Sequence, residues 1–357
     1  ISTLVVKDQL TFIRNKDMGF SREQILVINT ADNINFKRNS ETLISELQRN
    51  PNIGDVSAPT YLPNNMLVQN DQLLPAKEDG KFVTVIGNWV DYSFADLFEL
   101  EIVEGRNFSR EFPSDAQGAV LLNETAAEAC KWESPVGKVF NVKNWGRRDL
   151  TIVGIVKDFH LRSLHEPIRP AIIVLDPNSF ASLAMKISTE NIPETISYIK
   201  NTLDRYSPGY PFEYHFFDEI FEESYKAEKK TEGIFNVFAY LSIIIACIGL
   251  IGLSSFTAEQ KTREIGIRKT FGATVPGIVI LLSREFTKWV LISNVIAWPL
   301  AYIFMNRWLE QFAYRTETSI LIYFIAGGIT LAIAIITVSF QSIKAALANP
   351  VDSLRHE

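Results

Sequence analysis

The rhythm of apolar residues along this chain changes near residue 234. Upstream they come in short runs separated by polar turns, as in strands and short helices buried on one or both faces. Downstream they fuse into three long stretches. Residues 234–256 carry no charge in 23 positions, residues 286–306 carry only Lys288 near one end, and residues 319–340 are uncharged. At about 1.5 Å per residue the first covers roughly 34 Å, enough for a hydrocarbon core of about 30 Å. The pattern predicts three membrane helices.

Upstream, "EQILVIN" (23–29) predicts a buried strand. "SETLISELQRNP" follows with Ser40 as a candidate N-cap, an apolar stripe of Leu43, Ile44 and Leu47, and Pro51 as a stop. "NIGDVSAP" returns as a strand, so the opening reads as a βαβ-like unit. Residues 63–80 are polar and Asn-rich and predict a loop or flap. "KFVTVIGNWVD" predicts a strand, "SFADLFEL" a short helix and "VEGRNFS" a turn. "AVLLNETAAEAC" predicts a strand running into a helix capped by Asn123 or Thr125. "SPVGKVFNV" and "DLTIVGIVKDF" predict strands around a turn at 144–148, followed by strands in "PAIIVL" and "SLAMKIS", a helix over 193–206 and a strand in "FEYHFFDE". The closing pattern resembles the opening one, so the middle region reads as an insertion into a discontinuous α/β domain. The segment "FDEIFEESYKAEKKTEG" shows no strong apolar face and predicts a polar stalk helix leading into the first span.

Charge divides the chain at the same place as hydropathy. Of its 357 residues, 1–233 carry 25 Lys and Arg against 34 Asp and Glu, while 234–357 carry 10 against 7. Lys and Arg counts near the spans set orientation. Lys261, Arg263, Arg268, Lys269 and Arg284 lie between the first two spans, whereas only Arg307 and Arg315 lie between the second and third. Loop 257–285 and the C-terminal tail are therefore expected in the cytoplasm. Residues 21–233 are expected on the far side of the membrane, with Trp308 and Tyr314 as interface anchors. The chain opens on Ile1, and "ISTLVV" reads as the end of a preceding membrane helix. Neither cytoplasmic piece is long enough to fold into a nucleotidase, so ATP-driven work is expected to come from another polypeptide.

The chemistry of enzymes is thinly represented. The four histidines, 160, 165, 215 and 356, show no metalloprotease spacing. The two cysteines, Cys130 and Cys247, fall in different halves and give no disulfide framework or zinc pattern. His160 in "KDFHLRSLHEP" reads either as a site residue or, more simply, as one of a capped loop in which Asp158 and His160 satisfy local backbone groups. "GIRKT" lacks the glycine spacing of a phosphate-binding loop, and the acidic upstream half disfavours nucleic acid. The expectation is a non-catalytic chain with no catalytic, metal or cofactor-binding residues.

Two features of the membrane half suggest partners. Ala246, Gly249, Gly252 and Ser255 recur three apart in the first span, a spacing that lets another helix approach closely. In the second span Asn294 calls for a partner and Pro299 for a bend. Between the first two spans, "TREIGIRKTFGAT" predicts a helix over about 257–270. Glu264 and Arg268 form an i,i+4 pair beside the apolar pair Ile267 and Phe271, with Gly272 as stop. Thr274 then caps a second helix with Pro276 in its first turn. Setting topology requires none of this architecture, which favours a protein-docking element.

"IIIACIGLIGLSSFTAEQKTREIGIRKTFGAT" and the tail "QSIKAALANPVDSLRHE" resemble the FtsX-like permease domain of MacB-type ABC transporters. "VLLNETAAEAC", "VGIVKDFH" and "SLHEPIRPAIIV" are similar to the MacB periplasmic core domain. The resemblance implies an α+β extracytoplasmic domain followed by an all-α three-helix membrane domain. Residues 1–20 would end a preceding membrane helix and stalk. Residues 21–217 would form the periplasmic core, with a discontinuous α/β porter part at about 21–90 and 156–217 and an inserted β-rich sabre part at about 91–155. Residues 218–233 would be a stalk, and 234–357 the permease domain. It further implies an inner-membrane permease that works as a dimer, with a second copy or half. A separate ABC ATPase would drive it by mechanotransmission, and ATP would act through that partner. Arg263, Glu264, Ile265, Gly266, Ile267, Arg268, Lys269, Phe271, Gly272 and Ala273 would form the ATPase-coupling segment. The implied task is export or extraction of a peptide, drug, lipoprotein or lipid from the periplasmic side, with a periplasmic adaptor or substrate protein and membrane lipid as partners and no nucleic acid. The alternative is FtsX-like signalling to cell-wall hydrolases or a sensor system without transport.

Overall fold

The computed structural model describes residues 1–30, 33–64, 71–77, 81–141, 149–178 and 181–347. Their contacts sort into two units. A helical unit takes Ile1–Asn15, Ala227–Gln311 and the chain from Arg315 onward; a mixed unit takes Lys16–Lys226 and the short segment Phe312–Tyr314.

In chain order the mixed unit holds β1 (Ile25–Asn29), α2 (Ile34–Arg38), α3 (Ser40–Leu47), β2 (Ile53–Ser57), β3 (Asp71–Pro75), β4 (Phe82–Val90), α4 (Phe94–Leu97), β5 (Ile102–Gly105), α5 (Asp115–Gly118), β6 (Ala119–Asn123), α6 (Glu124–Cys130), β7 (Val139–Asn141), β8 (Asp149–Val156), β9 (Ala171–Leu175), β10 (Ser182–Ile187), α7 (Ile192–Tyr206), β11 (Tyr214–Phe216) and α8 (Phe217–Glu223). Its four-stranded sheet has the order β11-β1-β10-β2. β10 pairs antiparallel with both β1 and β2, so the two strands of the opening βαβ unit run parallel with β10 between them. The larger sheet runs β3-β4-β9-β6-β8-β5, with β7 also paired to β8.

Strand alternation builds three apolar layers. Leu26 and Ile28 of β1 face Leu43, Leu47, Ile199 and Leu203 of α3 and α7. Ile25 and Val27, one residue out of phase, join a core with Ile86, Leu121 and Ile173 of the larger sheet and with Phe94, Phe98 and Phe217. Val120, Leu122, Ile172 and Val174 point to the far face, under Ala126 and Cys130 of α6. Strands covered on both faces read as continuous apolar runs, which is why "ILVI", "AVLL" and "AIIVL" lack alternation. Burial also raises the Cys130 thiol to about 11, leaving it an inert packing group.

Several expectations change. Ser40 is the first residue of α3, not its cap; Asn39 holds that place, and the Ser40 hydroxyl reaches the Pro177 carbonyl. Asp71–Pro75, inside the expected flap, is a strand, as is Ile102–Gly105, where a turn was expected. The turn follows at Gly105, whose φ of +76° and closeness to the Val153 carbonyl leave no room for a side chain. Residues 65–70, 78–80 and the expected turn at 144–148 lie outside the described residues. The larger sheet draws β3 and β4 from before residue 91 and β9 from after residue 155. The stalk is not one polar helix: α8 stops at Ser224 and buries Phe217 and Phe221, and a new helix starts at Lys226.

Asn123 settles the cap of α6. Its side-chain oxygen accepts from Ala126 N at 3.0 Å and from Ala171 N at 2.7 Å, and its amide donates to the Arg169 carbonyl at 3.1 Å. Thr125 instead donates to Asp158 at 2.6 Å.

The helical unit contains α1 (Ser2–Asn15), α9 (Lys226–Gln260), α10 (Thr262–Thr270), α11 (Val275–Leu309) and α12 (Ile320–Leu347). Three of them, α9, α11 and α12, are long and apolar enough to cross a membrane, with mean hydropathy of 2.5, 1.4 and 2.4 over the best windows. Phe238, Ile245, Ile248 and Phe256 of α9 are more than half exposed, tolerable in lipid and costly in water. Trp298 of α11 packs edge-on against Tyr323 and Phe324 of α12, over Gly327. α11 continues through Pro299, and Asn294 lines a cavity of about 600 Å³ with Ala246, Cys247 and Thr330. Ala246, Gly249, Gly252 and Ser255 are exposed, and a side chain at Gly249 or Gly252 would meet nothing within 4 Å.

"ISTLVV" lies in α1, whose Val5, Val6 and Leu10 cluster with Met305 and Leu309, with Trp308 at the edge. Gln9, fully buried, accepts from Thr316 N at 2.9 Å. Tyr314, expected as an interface anchor, groups with the mixed unit.

Candidate functional site

The segment "TREIGIRKTFGAT" is built around α10. α9 runs on to Gln260, four residues past Phe256, and the chain turns at Lys261 before α10 begins at Thr262. The helix is therefore shorter at its start than the expected 257–270. The join is bridged rather than open. Lys261 N bonds the Thr257 carbonyl at 3.1 Å, and the Thr262 hydroxyl bonds the Ala258 carbonyl at 2.9 Å. Lys261 Nζ pairs with Glu285 of α11 at 3.0 Å.

An apolar side chain fastens α10 to α11. Ile265 is buried with Ile278 and Leu282 of α11, and Val275 packs beside them. Residues advance by roughly 100° along a helix, so Ile267 projects about 160° and Phe271 about 120° away from Ile265, within about 40° of each other. Exposure agrees, at 46% for Ile267 and 88% for Phe271. Glu264 and Arg268 pair at 2.7 Å on the flank of that outward face. The result is a helix end whose solvent side carries two large apolar groups and an ion pair.

The far end is a left-handed glycine stop. Phe271 N bonds the Ile267 carbonyl at 3.2 Å, Ala273 N bonds the Arg268 carbonyl at 2.9 Å, and Gly272 has φ +86°. Thr274 takes the extended N-cap conformation of α11 with proline in the first turn, but its side chain makes no capping bond. Nothing lies within 4 Å of a side chain placed at Gly266. The side chains of Arg263 and Lys269 lie outside what is described. Sequence spacing identified the outward pair; it did not single out Ile265 as the anchor or Lys261–Glu285 as a tie. Ile265 stands two positions from Ile267, and that offset was the available signal for opposite faces.

His160 and Asp158, expected to satisfy local backbone groups, instead meet partners distant along the chain. His160 is buried beside Tyr314, its backbone N donates to the Met18 carbonyl at 3.0 Å, and burial lowers its pKa. Asp158 accepts from the backbone and hydroxyl of Thr125 and so fastens the first turn of α6.

The same two-part organisation recurs in known proteins. Residues 9–199 match the MacB-like periplasmic core domain, and residues 236–350 match the FtsX-like permease C-terminal region. An uncharacterized ABC transporter permease, YknZ of Bacillus subtilis (strain 168), is 21% identical over 287 residues, covering 76% of this chain and 70% of YknZ. The macrolide export ATP-binding/permease protein MacB of Haemophilus ducreyi is 24% identical over 288 residues, 76% of this chain and 40% of that protein. Among solved structures, the periplasmic region of MacB from Actinobacillus actinomycetemcomitans aligns with 59% of this chain and 96% of its own at 17% identity, with a TM-score of 0.41. With both domain families matched in order along it, this chain belongs to the ABC transporter permeases that join a MacB-like periplasmic core domain to an FtsX-like permease region.

Proposed function

We propose that this permease transmits the work of a separate ABC ATPase, docked on α10, to its periplasmic unit, and that the work drives export or extraction of a substrate met on the periplasmic side. The observation that carries the reading is the outward face of α10. A helix fastened inward by Ile265 presents Ile267 and Phe271 to solvent beside the Glu264–Arg268 pair. Exposed large apolar groups framed by charge suit a protein partner, and aromatic anchors dominate such interfaces. Because Ile265 packs on α11 and the Thr262 hydroxyl bonds the Ala258 carbonyl of α9, displacement of α10 is felt by α9 and α11 together. Loop 257–285 lies in the cytoplasm on this reading, residues 21–233 in the periplasm, and the permease acts as a dimer.

Pull-down of the full-length permease from membranes tests the proposal. Wild type is expected to bring down an ABC ATPase, and Phe271→Ala with Arg268→Glu is expected to lose it. Co-purification equal to wild type would remove α10 as the docking element. Protease added to spheroplasts should cut the mixed unit and spare loop 257–285; the reverse pattern would invert the orientation.

A further inference from the structure

The chain passes between the helical and the mixed unit after Asn15, after Lys226, and on either side of Phe312–Tyr314. The mixed-unit residues at all these crossings gather on one short segment, Phe159–Arg169. Near the first crossing, the Met18 carbonyl accepts from His160 N at 3.0 Å, and Lys16 Nζ sits 4.5 Å from the centre of the Tyr314 ring. At the second, the Tyr225 hydroxyl accepts from Leu164 N at 3.1 Å, and its ring stacks with His165 at 6.1 Å. At the third, Phe312 is buried and stacks on His165 at 4.4 Å with 27° between planes. Ala313 N and Tyr314 N reach the carbonyls of His165 and Leu164 at 3.3 and 3.4 Å, and the Tyr314 hydroxyl accepts from Ile168 N at 3.2 Å.

We propose that residues 160–168 form a knot tying every crossing of the chain to one point of the periplasmic unit, with Phe312–Tyr314 as its latch and His165 as the positioning residue. This rests on the transmission reading above. The segment suits the task because it belongs to no helix or strand, and its backbone from Leu164 to Ile168 is met by groups from the crossings. His165 stacks on two of the three crossings, and its ring is set by the Ser163 hydroxyl, 2.7 Å from Nδ1. Arg162 and Glu166 close the segment with an ion pair across one turn. A pull on α9 or on the connection between α11 and α12 reaches the same backbone, Leu164 to Ile168, and continues into β9 at Ala171. Sequence gives no sign of this, since Tyr225 and Phe312 lie far apart along the chain.

Amide hydrogen exchange on the full-length permease in nanodiscs tests the knot, first without nucleotide and then with its ATPase and ATP. Phe312→Ala and His165→Ala are expected to speed exchange at Leu164 and Ile168 by about tenfold or more. They should leave ATPase co-purification at the wild-type level and abolish the ATP-dependent change in exchange in β9. Phe312→Tyr and His165→Phe keep the stack and should restore that change. Wild-type protection at Leu164 and Ile168 in Phe312→Ala would overturn the latch, and failure of His165→Phe to rescue would overturn the role of its ring. If wild type brings down no ATPase, the transmission reading falls, while the nucleotide-free exchange still judges the latch.

Discussion

The Ser57 hydroxyl donates to the Asp91 carboxylate at 2.5 Å, joining the end of β2 in the smaller sheet to the end of β4 in the larger one. Burial raises Asp91 from 3.8 to about 6, against the lowering effect of Ser57, the Ala58 backbone N–H and the more distant charge of Arg110. Arg110 itself pairs with Glu41 and lies over Tyr92. The folded protein thus holds the Asp91 proton more tightly than the unfolded chain. Its contribution to stability is fully present below 3.8 and is lost as pH rises through about 6, by roughly 3 kcal/mol at most. Asp91→Asn should therefore equal or exceed wild-type stability at pH 7.5 and flatten the pH dependence between 4 and 7. Thermal unfolding of the full chain in detergent across that range measures it; an unchanged pH profile would contradict the assignment.

Asn123 serves three backbone groups from one buried side chain. Asn123→Ala removes the cap and leaves buried N–H groups at Ala126 and Ala171 unsatisfied, for a loss of roughly 2–4 kcal/mol. Asn123→Ser is expected to recover only the capping share. Urea midpoints of the three proteins separate the two contributions.

Asp115, 1% exposed, receives both guanidinium nitrogens of Arg106 at 2.6 and 2.7 Å and the Ser109 N–H at 3.1 Å. The pairing raises the Arg106 pKa. Arg106→Ala strands a buried carboxylate and is expected to destabilise the loop after β5 by roughly 3 kcal/mol. Arg106→Ala with Asp115→Ala should cost less than the single Arg106 change, because no charge is left unpaired. A double-mutant cycle on thermal unfolding gives the coupling.

Ile265 is the inward anchor of α10. Ile265→Ala empties its place against Ile278 and Leu282 and is expected to cost about 2 kcal/mol locally while leaving the outward face intact. Exchange across 262–270 should rise in Ile265→Ala and stay at the wild-type rate in Phe271→Ala, which removes an exposed ring. Equal behaviour of the two variants would show that inward and outward faces are misassigned.

Much of this protein was legible in local pattern. Uncharged runs of membrane length and the strand–helix alternation upstream each rest on neighbours within a few residues. So does the glycine stop at Gly272. Ser40 and Asn39 show where that reasoning ends: both are good capping types, and in the fold Asn39 takes the cap position while the Ser40 hydroxyl bonds the distant Pro177 carbonyl. "VEGRNFS" read as a turn because its polar residues hid a strand on the sheet edge, paired on one side to β8.

What the sequence by itself determined is the division into an acidic α/β half and three spans, the family, and the solvent face of α10. These follow from hydropathy, charge and periodicity, which act over one helix or strand at a time. Tertiary structure alone decided the sheet order, the raised Asp91 at the sheet seam, the anchor role of Ile265 and the meeting of Tyr225, Phe312 and His165. Those depend on residues brought together from distant parts of the chain, and no local propensity encodes the partner that burial will select.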